Sequence, residues 1–107
     1  MMVARIQVPP QARAGEVIEV RVSVQHAMES GFRYDNMGRS IPRNVIHTLT
    51  CRYGGGEVFR ADMGSGIAAN PYIQFCIVAK AAGDLMFDWV DDAGQRGSER
   101  IRLNVVA

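Results

Sequence analysis

Cysteine is scarce in this sequence, whose 107 residues include only Cys51 and Cys76. Disulfide scaffolds carry a much higher density of cysteine, and zinc or redox sites use a short CxxC spacing that this pair lacks. Free cysteine behaves as a small hydrophobic residue. We therefore predict that both cysteines are half-buried strand residues that do not form a disulfide.

An excess of either charge is also missing, since 12 basic and 11 acidic residues give a net charge of +1. The signs are mixed along the chain, so no basic stripe is present and nucleic acid is not an expected partner. No apolar run approaches the roughly 18 residues of a membrane span, and residues 1–5 lack the pattern of a secretory signal. Taken alone, these absences predict a cytoplasmic protein that does not enter a membrane.

What the sequence does contain is typical of one folded domain. The apolar fraction of 48% and the charged fraction of 21% are ordinary for a globular protein, and the length predicts a single domain over residues 1–107. The main structural signal is an alternation of apolar and polar residues with a period of two, which indicates β-strands. In residues 16–25, for example, one face carries Ile18, Val20, Val22 and Val24.

The same alternation recurs at short intervals to the end of the chain, with turn signals between most of the segments. In residues 45–53 it places one set of side chains on a common face: Val45, His47, Leu49, Cys51 and Tyr53. Neither of the two longer links, residues 26–44 and 62–71, has a helical periodicity. About seven short strands of this kind predict an all-β fold, an immunoglobulin-like β-sandwich.

The longest interruption of the strand pattern covers residues 26–44, and long loops in compact domains are often functional. At its start, His26 and Met28 continue the apolar face of the preceding strand. Further on, residues 35–38 carry a tight-turn signal, an aspartate that can bond its own backbone and a final glycine. We therefore expect this loop to contribute to function.

Two chemistries, metal binding and nucleophilic attack, are suggested by histidine or cysteine residues, and each has a plainer interpretation. His26 with Glu29, or His26 with His47, suggests a metal site, but neither pair has a third ligand and structural histidines are more common. Cys51 with a histidine suggests a nucleophilic pair, but this cysteine lies in mid-strand without an oriented partner. Neither combination predicts an active site.

Two further motifs are equally weak as functional signals. The glycines at residues 54–56 resemble a phosphate loop, but they join two strands rather than opening a helix, which indicates a hairpin turn. Asp91 and Asp92 suggest a carboxylate dyad, although a solvated turn is the more typical interpretation of such a pair. We predict no catalytic residue, no metal site and no cofactor, and therefore a protein that is not an enzyme.

A series of short motifs runs in order from about Val22 to the last strand. The motifs are His26-x-Met28-Glu29-x-Gly31, Arg33, Asp35-x-x-Gly38-x-x-Ile41-Pro42, Asn70-Pro71 with Phe75, and Trp89-x-Asp91-x-x-Gly94. In this order and spacing they resemble the SoxZ family, the Z subunits of the SoxYZ sulfur-carrier complex of the sulfur-oxidising system. The chain departs from the family pattern at Ala27, where proline is frequent, and at Ser30, where threonine is common.

The resemblance implies a function that composition alone does not give. A SoxZ subunit forms a heterodimer with a SoxY subunit, whose C-terminal cysteine carries sulfur intermediates during thiosulfate oxidation. This chain would then be the non-catalytic scaffold, with transient contacts to a c-type cytochrome, a sulfohydrolase and a sulfane dehydrogenase. The family is exported together with its signal-bearing partner, so the resemblance implies a periplasmic location instead of a cytoplasmic one.

A permanent heterodimer needs an apolar docking face, and the long loop carries apolar residues among charged ones. We predict a partner interface that includes Met28, Glu29, Phe32, Arg33, Asp35 and Met37, with Tyr34 and Met63 as further apolar candidates. Two alternatives remain open. One is a free-standing immunoglobulin-like binding or adhesion module without sulfur chemistry, and the other is a small periplasmic metal-binding protein that uses His26 and His47.

Overall fold

The computed structural model describes residues 3–107. Met1 and Met2, the first two of the five residues predicted to lack a secretory signal pattern, lie outside the described residues. Within the described residues every regular element is a strand, and none is a helix that could cross a membrane. The strands are β1 (Ala4–Gln7), β2 (Ala12–Arg13), β3 (Val17–Val24), β4 (Ile46–Tyr53), β5 (Gly56–Asp62), β6 (Tyr72–Val78), β7 (Gly83–Asp91), β8 (Arg96–Leu103) and β9 (Val105–Val106). Apart from the two-residue strands β2 and β9, they number seven, which confirms the prediction.

The strands form two larger sheets and a small one. The first sheet has the order β1-β3-β6 and the second has the order β5-β4-β7-β8. All neighbouring strands within these two sheets are antiparallel, whereas β2 and β9 pair in parallel. The two larger sheets enclose the apolar core, so the predicted β-sandwich is confirmed.

The alternation of residues along the strands fills the space between the sheets. The buried side chains of β3 and β7 are Ile18, Val20, Val22 and Val24 in the first strand and Leu85, Phe87 and Trp89 in the second. They are the residues that a period of two places on one face of each strand. Burying a side chain of this size stabilises the fold by about 1.5–3 kcal/mol, so this pattern decides which face of each sheet turns inward.

A β-bulge near the start of β4 changes one predicted face. The pairing of β4 with β7 runs from Ile46 opposite Asp91 to Thr48 opposite Val90, which leaves His47 as an extra residue. An extra residue shifts the alternation by one position. Ile46 is consequently buried, while His47 is only half-buried. The prediction that His47 shares the inner face of this strand was therefore wrong.

The two cysteines lie in different sheets and are free thiols. Cys51 on β4 belongs to the inward series and is fully buried, whereas Cys76 on β6 belongs to the outward series and is exposed. The prediction that both are half-buried was wrong, because each cysteine lies on a strand whose alternation assigns it wholly to one face.

Residues 26–44 form a projecting hairpin, called the arm below. Its two sides pair at Glu29 with Asn44 and at Tyr34 with Ser40. The longest strands have eight or nine residues and therefore span only about 30 Å. The molecule measures 60 × 20 × 19 Å, so its length includes the arm as well as the sandwich.

Candidate functional site: the arm and its base

A buried histidine holds the base of the arm. His26 Nε2 lies 3.1 Å from Asp91 Oδ2, and His26 Nδ1 accepts a hydrogen bond of 2.9 Å from the Met28 N–H. Because Nδ1 accepts a hydrogen bond, the ring proton lies on Nε2 and is donated to the Asp91 carboxylate. Both ring nitrogens are thus engaged, and the side chains of His26 and Asp91 are only 6% and 0% exposed.

Asp91 is the charged centre of this network. Its Oδ1 accepts a hydrogen bond of 2.9 Å from the Gln95 N–H, while its Oδ2 accepts the bond from His26. Burial acts to raise the pKa of Asp91, but the hydrogen bonds from His26 and Gln95 outweigh it and hold the pKa below its ordinary value. The ionised carboxylate therefore links the end of β7 to the first residues of the arm.

Two residues beside His26 have left-handed backbone conformations, Met28 and Asn70, both with φ of 53°. Such a conformation costs a non-glycine residue about 1–3 kcal/mol, so the surrounding contacts must maintain it. The Asn70 N–H donates to the His26 carbonyl at 2.7 Å, and the His26 N–H donates to Asn70 Oδ1 at 3.0 Å. Met28 Sδ accepts from the Ile46 N–H at 3.3 Å. These bonds fix the direction in which the arm leaves the sandwich.

The middle of the arm is paired as a β-hairpin. The backbones of Glu29 and Asn44 exchange two N–H···O=C bonds, both 2.8 Å long. Gly31, with φ of 91°, lies so close to the opposite side that a Cβ there would be 3.0 Å from the Arg43 Cβ. Arg33 donates hydrogen bonds of 3.0 and 2.7 Å to the two carboxylate oxygens of Glu29, and this contact lowers the pKa of Glu29. The arm therefore has a defined shape.

The tip of the arm is a turn organised by Asp35. Its Oδ1 accepts hydrogen bonds from the Met37 N–H at 2.8 Å and from the Arg39 N–H at 2.9 Å. The Gly38 N–H donates to the Asp35 carbonyl at 3.0 Å, and Gly38 has the positive φ that favours glycine. This is the tight turn that the sequence predicts at residues 35–38.

Three large apolar side chains of the arm point into solvent. Phe32 is 82% exposed, Tyr34 71% and Met37 76%, more than any other large hydrophobic residue in residues 3–107. Single exposed apolar residues are ordinary on protein surfaces. Three of them on one short projection, next to the Glu29–Arg33 ion pair, are typical of an interaction site with an apolar centre and a polar edge.

Five of the six predicted interface residues lie on the arm with exposed or half-buried side chains: Glu29, Phe32, Arg33, Asp35 and Met37. Met28 differs from them, because its side chain is 5% exposed and packs in the core. Met63, a further candidate, also packs against the core. The prediction that Met28 is an exposed docking residue was therefore wrong, and its role is to anchor the arm.

Sequence reasoning missed Asp91, which it assigned to a solvated turn together with Asp92. Its side chain is buried, and only Asp92 remains partly open to solvent, where it lies 3.4 Å from Arg43. A signal was present, because Asp91 extends the inward series of β7 two residues beyond Trp89. His26 extends the inward series of β3 in the same way. Two polar residues at the inward ends of two strands predict a buried pair, since a buried charge needs a partner.

The same geometry argues against the metal and nucleophile alternatives. His26 has no free ring nitrogen to offer a metal ion, and the part of the chain that the structure describes contains no cluster of three possible ligands. Burial raises the pKa of Cys51 to about 12, so its thiol is protonated and a poor nucleophile at neutral pH.

Comparison with known proteins gives a family match and several structural likenesses. The family described as sulphur oxidation protein SoxZ matches residues 6–102. No curated protein sequence matches the chain significantly. Among solved structures, the superoxide reductase (neelaredoxin) from Ignicoccus hospitalis has a TM-score of 0.74 and 19% identity, covering 96% of this chain and 80% of that chain. The sulfur carrier protein SoxY from Chlorobium limicola f thiosulfatophilum has a TM-score of 0.64 and 11% identity, covering 95% and 74%.

At identities below 20%, these two structural likenesses concern the fold alone. They show that the same β-sandwich occurs in proteins with different activities, and superoxide reductase activity is not transferred to this chain. The family match concerns the sequence itself. It includes the whole arm and both partners of the His26–Asp91 hydrogen bond.

Proposed function

The chain belongs to the SoxZ family of sulphur oxidation proteins, and we propose that it is the non-catalytic scaffold subunit of a heterodimeric covalent sulfur carrier. The partner is a SoxY-like subunit that carries sulfur intermediates on a cysteine in its C-terminal tail. The observation that carries this proposal is the arm, a hairpin with a hydrogen-bonded base and the three exposed apolar side chains Phe32, Tyr34 and Met37.

The surface of the arm suits a specific protein partner. Aromatic residues and methionine are enriched in the buried centres of interfaces, and charged residues are more frequent at their edges. Phe32, Tyr34 and Met37 supply the first class, and Glu29 with Arg33 supplies the second. Because the hairpin is already ordered by its own hydrogen bonds, it loses little conformational entropy when it binds.

The two thiols of this chain support the division of roles between the subunits. A covalent carrier needs an accessible thiolate on a mobile segment. Cys51 is buried in β4, with a pKa raised to about 12, and Cys76 lies within the regular strand β6. Neither residue lies on a mobile segment, so the partner supplies the carrier thiol and this chain supplies a rigid body.

The remaining parts of the proposal come from the family. The carrier takes part in thiosulfate oxidation, and the complex meets a c-type cytochrome, a sulfohydrolase and a sulfane dehydrogenase in turn. It works in the periplasm, to which this chain is exported with its signal-bearing partner. The chain itself turns over no thiosulfate, sulfite or ester substrate. Substrate-dependent turnover by the purified chain that Cys51→Ala abolishes would contradict the non-catalytic role.

The arm is tested by changing its exposed apolar residues together. We expect Phe32→Ser with Tyr34→Ser and Met37→Ser to leave the melting temperature nearly unchanged, because exposed substitutions shift stability by about 0.5 kcal/mol or less each. The dissociation constant for a purified SoxY-type subunit should rise at least tenfold. Met86→Ser is the control, because Met86 is 46% exposed on the outward side of β7 and does not belong to the arm.

The binding measurements distinguish three interpretations: a scaffold that binds through its arm, an arm with only a structural role, and a free-standing module. Tight binding by the wild type, lost in the arm variant and retained in the control, supports the scaffold role. Equal binding by all three proteins shows that the arm is structural. Failure of the wild-type chain to bind any SoxY-type subunit would favour the free-standing immunoglobulin-like module.

A further inference from the structure

The two larger sheets have four edge strands, and three of them carry features that prevent further strand pairing. β5 contains Glu57, Arg60 and Asp62, and β8 contains four charged residues among eight. β1 contains Arg5 and is soon followed by two prolines. Charges and proline protect an edge because they oppose the addition of another strand.

The fourth edge strand, β6, is not protected. Its seven residues read Tyr-Ile-Gln-Phe-Cys-Ile-Val, without a charge, a proline or a glycine. It pairs with β3 on one side only. Every second residue therefore directs its backbone N–H and C=O groups to the free side, where residues 3–107 provide no backbone partner for them. An uncovered strand of this composition is an aggregation hazard, which indicates that a partner covers it.

An apolar groove of about 580 Å³ lies beside this free edge. Val78 of β6 and Val58 of β5 form its sides and are 46% and 40% exposed. Part of its lining consists of small residues, Gly54, Ala81, Ala82 and Gly83, beside which another backbone can approach closely. Lys80 is the one charged residue that lines the groove, and no ion-pair partner for it occurs in residues 3–107.

We propose that the SoxY-like subunit adds an extended strand to the free edge of β6 and covers this groove. The inference rests on the proposed function, because it takes the carrier subunit as the occupant. The added strand is uncharged where it runs beside β6, since the edge offers no charge to match, and it places a carboxylate near Lys80. Strand addition of this kind gives affinity through the backbone and specificity through the groove.

The first test is amide hydrogen exchange of the wild-type chain, alone and with a purified SoxY-type subunit. We expect the amides of residues 72–78 that face away from β3 to exchange at least tenfold more slowly in the complex. The second test is Val78→Lys, which places a charge on the edge and should raise the dissociation constant at least tenfold. Lys80→Gln should weaken binding less and should make it less sensitive to salt.

Val17→Lys is the matched control, because Val17 lies directly opposite Val78 in the register of β3 and β6 and is 64% exposed. It introduces the same charge on the same sheet face, one strand away from the edge, and should change the dissociation constant less than threefold. Melting curves check that both variants fold, and the exchange experiment does not depend on either variant.

If the complex forms but residues 72–78 exchange as in the free chain, the strand addition is wrong and the scaffold role stands. If no complex forms, both are wrong. If the same amides become protected in the chain alone as its concentration rises, a second copy of this chain occupies the edge instead, which also overturns the inference.

Discussion

Gly97 lies directly against the indole ring of Trp89, its cross-strand neighbour in β8 and β7. A Cβ at position 97 would overlap the Nε1, Cε2 and Cζ2 atoms of the ring. Trp89 is 3% exposed, and its Nε1 has no hydrogen-bond partner in the described part of the chain. Only glycine fits at position 97, because the indole ring occupies the space that a Cβ would need. A positive φ is not the reason.

We predict that Gly97→Ala destabilises the protein by about 2 kcal/mol, the usual cost of overfilling a packed core. The ring must move outward, so the emission of Trp89, the only tryptophan in the chain, should shift to longer wavelength. Chemical denaturation with fluorescence detection measures both effects. Ser98→Ala, one residue away on an exposed position, is the control and should change stability by less than about 0.5 kcal/mol.

The second prediction concerns acid stability and follows from the lowered pKa of Asp91. In the unfolded chain an aspartate has a pKa of about 3.9, and the folded value is lower. The Asp91 carboxylate therefore stabilises the fold fully above about pH 4, and this contribution is lost as the pH falls through the folded pKa. The free energy of unfolding should therefore decrease as the pH is lowered from about 4 through the folded pKa of Asp91.

Asp91→Asn isolates this contribution from those of the other carboxylates. We expect the variant to be less stable than the wild type by about 2 kcal/mol at pH 7, because it replaces a charged hydrogen bond with a neutral one. The difference between the two proteins should shrink below pH 4. A difference that stays constant from pH 7 to pH 3 would show that the charge of Asp91 does not stabilise the base of the arm.

The third prediction separates the shape of the arm tip from its surface. Asp35→Ala removes the acceptor of two backbone hydrogen bonds, those of Met37 and Arg39. These two amides should exchange at least tenfold faster, while the melting temperature changes little because the tip lies outside the core. Asp35→Asn keeps an oxygen at the same position and should behave like the wild type. Wild-type exchange rates at these two amides in the Asp35→Ala variant would mean that the tip is not organised by this side chain.

The fourth prediction concerns the two thiols. At pH 8, Cys76 should react with a thiol reagent in the native protein, because it is exposed. Cys51 should react only after denaturation, since it is buried and its pKa is raised to about 12. Mass spectrometry of the labelled protein identifies the modified residue. Rapid labelling of Cys51 in the folded state would contradict its assignment as an inert core residue.

The thiols also test the division of roles between the subunits. After loading of the complex with thiosulfate, we expect the sulfur adduct on the partner and none on Cys51 or Cys76. Replacing both by alanine should leave sulfur loading unchanged, although Cys51→Ala leaves a small cavity and costs some stability. A thiosulfonate adduct on either cysteine would reverse the assignment of carrier and scaffold.

The strands, the all-β class and the inward position of His26 could be predicted from the amino-acid sequence alone. A period of two needs only local backbone geometry, because successive side chains of a strand point to opposite faces. The turn at residues 35–38 is local in the same way, since Asp35 bonds amides two and four residues away. The ordered motifs of the SoxZ family were also present in the sequence.

Which residues meet across the sandwich depends on the tertiary packing of the two sheets. Asp91 is buried because His26, 65 residues away in the chain, provides its partner. The alternation within each strand predicts that both side chains face inward, but only the alignment of the two strands brings them together. The bulge that turns His47 away from the core depends on how β4 and β7 align. The free edge of β6 exists because the order of strands in the sheet places it last, and strand order is set by the packing of the whole chain.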